Sequence, residues 1–170
     1  MPICYVCEKE VVQPSGYSSS DILFIGDEPH DKKCVRPFSD DASRTVLRSE
    51  LVLLGVDMVS LRFTNLWYHM PPTKRNENFD GCFEASSKAC LEEAKGKKAI
   101  LLVGKTVVPY FTGYKVSEVN GLQVQSNMLS APIIYACVNP STVTHERGVV
   151  GEIRFALTNF VNHLREEDVI

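Results

Sequence analysis

Four short apolar runs, alternating with segments of helical periodicity, constrain the fold of this chain more than any other feature. The runs cover residues 21–26, 58–66, 98–104 and 132–138, and each has the length and composition of a buried strand. Between and after them, apolar residues recur at helical spacing in residues 42–54, 79–94 and 151–164. Strands that alternate with helices predict an α/β fold with a central, mostly parallel sheet of four strands.

The length of the chain fits one domain. With 170 residues, 44% hydrophobic and 23% charged, the chain can bury a single core, so we expect residues 1–170 to form one unit. Residues 114–124, with Asn120-Gly121 between β-prone stretches, predict a hairpin or an excursion at the sheet edge. Residues 1–20 and 165–170 are expected to be irregular.

Charge and cysteine content narrow the possible partners. The sequence has no run of roughly 18 apolar residues and no basic, apolar leader, which predicts a soluble intracellular protein without a membrane partner. A net charge of -3 means that any DNA binding must rest on a local surface. The six cysteines are expected to be reduced thiols or metal ligands, and the spacing of Cys4 and Cys7 favours ligands.

Polar residues follow the strands at the edge where open α/β sheets bind ligands. Residues 26–30 carry the adjacent carboxylates of Asp27 and Glu28, which offer a general base; a solvated acidic turn is the alternative. Residues 139–151 provide a proline turn and short hydroxyls that can bind a phosphate; a turn with a helix cap is the alternative.

Together these loops resemble the signature motifs of the uracil-DNA glycosylase superfamily. Residues 26–30, Gly-Asp-Glu-Pro-His, resemble its Gly-Glu-Ala-Pro-Gly or Gly-Gln-Asp-Pro-Tyr motif. Residues 36–38, Arg-Pro-Phe, resemble the Gly-Arg-Pro-Phe of the iron-sulfur-cluster-bearing branch, family 4. Residues 139–151 are similar to the His-Pro-Ser-Pro-Leu-Ser loop and its trailing Arg-Gly-Phe-Phe-Gly.

A third match follows the second predicted strand. Residues 65–72, Asn-Leu-Trp-Tyr-His-Met-Pro-Pro, and then Lys74-Arg75 resemble the family's Asn-Val-Val-Lys-Cys-Arg-Pro-Pro with its Asn-Arg. The matches occur in the family order and extend over about residues 4–164. The resemblance implies a three-layer α/β/α fold of the uracil-DNA glycosylase type.

The resemblance also implies how a base would be bound. Enzymes of this kind extrude the target nucleotide and read its edge with hydrogen bonds and aromatic stacking. By this likeness Phe38 stacks on the uracil ring, Asn65 reads its pairing edge, and Gly26 belongs to the base site. Without the resemblance, Phe38 reads as core packing and Asn65 as a strand-end cap.

Three residues are expected to carry catalysis. Asp27 stands at the position of the water-activating Glu in the cluster-bearing branch, and Glu28 aligns with the catalytic Asp of the classical branch; we prefer Asp27. Asn139 stands where the family usually has a His that donates a hydrogen bond to the developing uracil anion. Asn can also donate, so activity is expected to be retained in reduced form, redirected to another base, or lost.

The loop after the fourth strand is expected to bind the DNA backbone. The resemblance implies that Ser141 and neighbouring amides bind a phosphate in the rigid turn made by Pro140. Val143 replaces the Leu that enters the base stack, and Arg147 adds a positive charge.

A metal site is expected near the N-terminus. In the cluster-bearing branch a Cys-x-x-Cys joins a Cys before Pro-Pro and another in the next helix. The corresponding residues here are Cys4, Cys7, His69 and either Cys82 or Cys90, with Cys82 preferred. The resemblance implies a [4Fe-4S] cluster; zinc is the alternative because three thiolates and an imidazole also suit it, and a site without metal is the third possibility.

The sequence therefore predicts a DNA glycosylase that removes uracil or a related deaminated base for base-excision repair. The alternative is a DNA-binding subunit of a replication or repair complex that has lost catalysis. The expected partner is uracil-containing DNA, with a replication or repair protein as a further possibility. The expected location is cytoplasmic in a bacterial or viral setting, or nuclear in a eukaryotic one.

Overall fold

The computed structural model describes residues 2–146 and 148–170, and within these ranges the chain forms five strands and five α-helices. The strands are β1 (Ser15–Gly16), β2 (Ile22–Gly26), β3 (Arg62–Asn65), β4 (Ala99–Val103) and β5 (Ile133–Cys137). The helices are α1 (Asp41–Leu53), α2 (Phe79–Ala94), α3 (Val107–Thr112), α4 (Val116–Val119) and α5 (Val149–Glu166).

The strands form one mixed sheet in the order β1-β3-β2-β4-β5. The pairings β3-β2, β2-β4 and β4-β5 are parallel, whereas β1 pairs antiparallel with β3. The predicted α/β class is confirmed. The sheet has five strands and not the predicted four, because Ser15 and Gly16, in a segment expected to be irregular, pair with Phe63 and Arg62 at its edge.

Helices cover both faces of this sheet. Ile22 and Phe24 of β2 face the core that also contains the apolar sides of α1 and α5. Leu23 and Ile25 face the opposite core, with α2 and α3. Side chains alternate along a strand, and β2 is central, so its run is apolar on both faces. Among the described residues, no helix is both long enough and apolar enough to cross a bilayer.

Two elements differ from the sequence-based expectation. The second predicted strand is shorter than residues 58–66, because the Asp57 carboxylate accepts a hydrogen bond from the Val59 amide at 3.1 Å and starts a 3-10 turn at Met58–Ser60. The hairpin expected at residues 114–124 is wrong.

In place of that hairpin, helix α4 is followed by isolated bridges to β5, so the edge excursion is the correct description. The Asn120 side chain explains why this segment bridges to β5 and does not form a hairpin, since its Oδ1 accepts a hydrogen bond from the Val138 amide at 2.9 Å. This bond ties the segment to the end of β5 instead of to its own second half.

Candidate functional site

A cavity of about 310 Å³ lies at the carboxyl ends of the parallel strands. Its volume is at the lower end of the roughly 300–1,000 Å³ usual for small-molecule sites. Seven of the residues predicted from the motifs line it: Gly26, Asp27, Glu28, Phe38, Asn65, Asn139 and Ser141. Loops distant in sequence therefore meet in one place, as the edge of a parallel sheet requires.

One wall of the cavity is built by close packing around Gly26. A Cβ atom at this position would lie 2.6 Å from Asn65 Oδ1 and 2.9 Å from Phe38 Cζ. Any side chain here would displace both groups. The absence of a side chain at Gly26 is therefore what lets the amide and the aromatic ring approach each other.

Phe38 is held in an unfavourable backbone conformation. Its φ is +53°, in the left-handed region that non-glycine residues rarely occupy. The ring packs edge-on against Phe63 with centroids 5.9 Å apart. The next turn is fixed by Asp40, whose carboxylate accepts a hydrogen bond from the Ser43 amide at 2.8 Å and caps α1. Strain of this kind concentrates at ligand sites.

The Asn65 side chain carries an unsatisfied donor. Asn65 is 6% exposed, and its Nδ2 has no hydrogen-bond partner among the described residues. Leaving a buried donor unpaired costs about 1–3 kcal/mol. Because Asn65 lines the cavity, a ligand with an acceptor atom would satisfy this donor.

Asp27 is a buried carboxylate fixed by the chain around β4 and α3. It is 5% exposed, and its Oδ1 accepts hydrogen bonds from the amides of Thr106 at 2.9 Å and Val107 at 2.8 Å. The Asn139 side chain lines the same cavity. Burial raises the pKa of the Asp27 carboxyl, and these donors oppose that rise.

Glu28 is more accessible to solvent than Asp27. It is exposed, and partial desolvation together with the charge of Asp27 raises its pKa, while Lys105 opposes the rise. Of the adjacent pair Asp27 and Glu28, Asp27 is the one whose carboxylate accepts backbone hydrogen bonds.

Asn139 lines the cavity together with Asp27 of the other motif loop. Its Oδ1 accepts a hydrogen bond from the Ser141 amide at 2.9 Å and caps the 3-10 turn Pro140–Thr144. An asparagine amide can accept and donate at once, so Nδ2 is still able to donate.

The other residues predicted to bind DNA do not all line this cavity. Pro140 is buried, and Val143 is half-buried against the core next to α1 and α5. Ser141 lines an open cleft of about 530 Å³ beside the cavity, together with His30, Lys33 and His145. Arg147 lies outside the described residues.

The Asp27 carboxylate leaves no room for a side chain at position 104, so replacing Gly104 should destabilise the protein. Its φ is +137°, and a Cβ atom there would lie 2.2–2.4 Å from the Asp27 carboxylate. Gly104→Ala is expected to lower the free energy of unfolding by about 3–5 kcal/mol, through backbone strain and this clash. The measurement is urea unfolding followed by circular dichroism.

Gly113→Ala is the matched control, because Gly113 also has positive φ, +79°, but nothing lies within 4 Å of a Cβ there. It should cost only the backbone strain, about 1–2 kcal/mol. Equal losses in the two variants would contradict the tight contact between Gly104 and Asp27.

A cluster of potential metal ligands forms a second candidate site, near the loop that follows β3. The ligand atoms of Cys4, Cys7, His69 and Cys82 all lie within 4.8 Å of one another. The predicted set is confirmed as a cluster able to hold a metal ion, with Cys82 as its fourth member. Cys90, two turns further along α2, packs instead into the core between the sheet and α3.

The surroundings of this cluster act in opposite directions on two of its thiols, favouring the thiolate of Cys4 and the protonated form of Cys82. Burial acts to raise the pKa of Cys4, but hydrogen bonds from the Tyr68 hydroxyl and the amides of Val6 and Cys7 lower it to about 6. Burial and the neighbouring thiols raise the pKa of Cys82 to about 12. A bound cation would favour the deprotonated form of both.

Several residues of the two sites were not identified from sequence. The amides of Thr106 and Val107 carry no side-chain signal, and only the position after β4 indicated where to look. Tyr68, whose hydroxyl donates to Cys4 Sγ at 3.3 Å, lies within the third motif but resembled an ordinary aromatic residue.

Comparison with known proteins adds no relative. No protein-family model matches the chain, and no curated protein sequence matches it either.

Proposed function

We propose that this protein is a DNA glycosylase of the uracil-DNA glycosylase type that hydrolyses the N-glycosidic bond of uracil, or of a related deaminated base, in DNA. The proposal includes the corresponding three-layer α/β/α fold. It also includes a role in base-excision repair, in a cytoplasmic or nuclear setting.

The observation that carries the proposal is the unpaired Nδ2 of Asn65 beside the Phe38 ring. Uracil presents a carbonyl oxygen and an N–H on adjacent atoms of its pairing edge, and an asparagine amide offers the matching donor and acceptor. The Phe38 ring supplies a stacking surface. Extruding the base from the helix would give Asn65 Nδ2 the acceptor that the described residues do not provide.

The position of Asp27 suits the reaction that follows. As the bond to the base breaks, positive charge develops on the sugar and negative charge on the departing base. A fixed Asp27 carboxylate would stabilise the sugar cation, orient a water molecule towards the anomeric carbon and accept its proton. Asn139 Nδ2 has two hydrogens, so it can hold Asp27 with one and donate the other to the leaving base.

The open cleft next to the cavity supports DNA as the substrate. Phosphate contacts in protein–DNA complexes come from cationic side chains, hydroxyls and backbone amides. The cleft combines Lys33, Ser141, His30 and His145 with the carboxylates of Asp31 and Asp40. Lys33, Ser141 and the two imidazoles would supply the phosphate contacts, whereas the two carboxylates already accept hydrogen bonds from the backbone amides of Lys33 and Ser43.

Excision of uracil tests the proposal. Single-stranded and duplex oligonucleotides that contain one uracil are incubated with the protein, and abasic sites are then cleaved with alkali. The wild type is expected to give a product of the length set by the uracil. Asn65→Asp should lower the rate by about 10²-fold or more, because two carboxylate oxygens cannot donate a hydrogen bond.

Asn159→Asp is the control, since its amide donates to Gly121 O on a different part of the surface. It should cleave at the wild-type rate. Absence of any product from the wild type would overturn the enzyme proposal.

A DNA-binding subunit without catalysis is the second candidate. One observation favours it: the Asn139 side chain is already bonded to the Ser141 amide. A neutral amide is also a weaker donor to an anion than a charged imidazole. Binding of uracil-containing DNA without cleavage would establish this alternative, with a replication or repair protein as the expected partner.

The cysteine–histidine cluster has a structural role in this proposal. It joins the N-terminal segment, the loop after β3 and the first turn of α2, around an apolar cluster that includes Trp67. The Val12 amide donates to Tyr68 O at 2.6 Å and continues this attachment. A metal there would hold the loop that carries Met70 and Pro71, which line the cavity.

A further inference from the structure

The metal that the family resemblance implies is a [4Fe-4S] cluster, and the arrangement of the ligands provides a test of that assignment. In such a cluster each cysteine binds a different corner of an iron–sulfide cube. The cube separates the ligand atoms, so they lie about 6 Å from one another. A single zinc ion instead lies between its ligands, and with bonds of about 2.3 Å it brings two tetrahedral sulfurs to about 3.8 Å.

Two of the distances between ligand atoms match one ion, and all of them are too short for a cube. Cys4 Sγ and Cys82 Sγ are 3.8 Å apart, and Cys7 Sγ and His69 Nε2 are 3.4 Å apart. All four ligand atoms lie within 4.8 Å of one another. An iron–sulfide cube would require the ligands to move apart by more than 1 Å, against the packing of Trp67 and Phe79 around them.

The imidazole of His69 is oriented for binding a metal ion through Nε2. Its Nδ1 lies 2.9 Å from Met70 O. A carbonyl oxygen can only accept, so Nδ1 carries the hydrogen and the lone pair of Nε2 faces the sulfurs. Metal-bound histidines typically donate their second N–H to a carbonyl in this way.

The thiolates are also supported from outside the cluster. The Tyr68 hydroxyl donates to Cys4 Sγ at 3.3 Å. Three thiolates with one divalent ion leave a net negative charge, which such a donor stabilises. Three cysteines and one histidine form one of the usual ligand sets of structural zinc.

We infer that Cys4, Cys7, His69 and Cys82 bind a single tetrahedral zinc ion, and that the [4Fe-4S] cluster implied by the resemblance does not fit this chain. The site has no open position for substrate, because all four corners of the tetrahedron come from protein side chains. Its role is to fix the N-terminal segment on α2. The inference does not depend on the glycosylase proposal.

Metal analysis of the whole protein tests the inference. The chain is expressed in a medium that supplies both iron and zinc, and is purified without oxygen so that a cluster would survive. We expect about one zinc ion per chain, little iron, and no absorption near 400 nm. X-ray absorption at the zinc edge should show about three sulfurs at roughly 2.3 Å and one nitrogen at roughly 2.0–2.1 Å.

His69→Cys gives a second test. It should still bind about one zinc ion per chain, with a fourth sulfur in place of the nitrogen. His163→Ala, which removes an imidazole that lies against Tyr135, should keep the wild-type spectrum. Iron and sulfide near four each per chain would overturn the inference, and so would a wild-type protein that contains no metal.

Discussion

Replacing Asp27 with asparagine is expected to lower the rate of uracil excision by about 10²- to 10⁴-fold, the usual contribution of a positioned general base. Asparagine has the same shape and can still accept the hydrogen bonds from the Thr106 and Val107 amides. It cannot carry negative charge or accept the proton of water. The variant should therefore fold normally, and its single-turnover rate on a uracil oligonucleotide is the measurement.

Glu28→Gln is the matched control, because it makes the same chemical change at the adjacent, exposed position. We expect its rate to fall by less than about tenfold, since Glu28 would contribute only charge at longer range. If Glu28→Gln loses the rate and Asp27→Asn keeps it, then the base is Glu28.

The pH dependence gives an independent check on Asp27. Burial raises the pKa of its carboxyl above the ordinary value. The ionised form is the active one, so the rate should fall as pH falls through this raised pKa. The acid limb of the wild-type profile should thus lie at higher pH than the titration of an exposed aspartate. The limb should be absent from the residual rate of Asp27→Asn.

Replacing Cys82 with serine is expected to lower the free energy of unfolding by at least about 3–5 kcal/mol, part of the roughly 10–16 kcal/mol that zinc contributes to small zinc domains. For a chain of this size, that loss corresponds to a fall in Tm of about 6–20 °C. Serine is a poor ligand for a soft thiolate site, and the N-terminal segment would lose its attachment to α2. Calorimetry with and without a chelator is the measurement.

Cys90→Ser provides the comparison, since Cys90 lies in the same helix with 1% exposure against 0% for Cys82. It introduces the same buried hydroxyl, which costs about 1–3 kcal/mol. A chelator should lower the Tm of the wild type and of Cys90→Ser, but not that of Cys82→Ser. A chelator that leaves the wild type unchanged would contradict a stabilising metal.

The strands and long helices were predictable because each has a local cause. Residues 79–94 were predicted as a helix from apolar periodicity, and α2 has the same bounds. The edges of the sheet were less predictable. Strand β1 exists because its two residues pair with Phe63 and Arg62, a contact across more than 40 positions that no local pattern encodes.

The candidate sites show the same division. The motifs named Asp27, Phe38, Asn65 and Asn139, and the structure places them around one cavity. Their hydrogen bonds were not predictable. The two donors that hold Asp27 are backbone amides, which every residue except proline has, so no side-chain pattern marks them. The close approach at Gly26 arises only when three loops are folded together.

Periodicity and residue chemistry are local properties, so they were enough to predict the α/β class and the loops that carry polar residues; the motif resemblance added three metal ligands and two candidates for the fourth. Folding settles that Cys82 and not Cys90 joins the cluster, and that its atoms stand close enough for one ion. It also leaves the Asn65 donor beside Phe38 without a partner among the described residues. These outcomes depend on distances between residues far apart in the chain, which packing sets and spacing along the sequence does not.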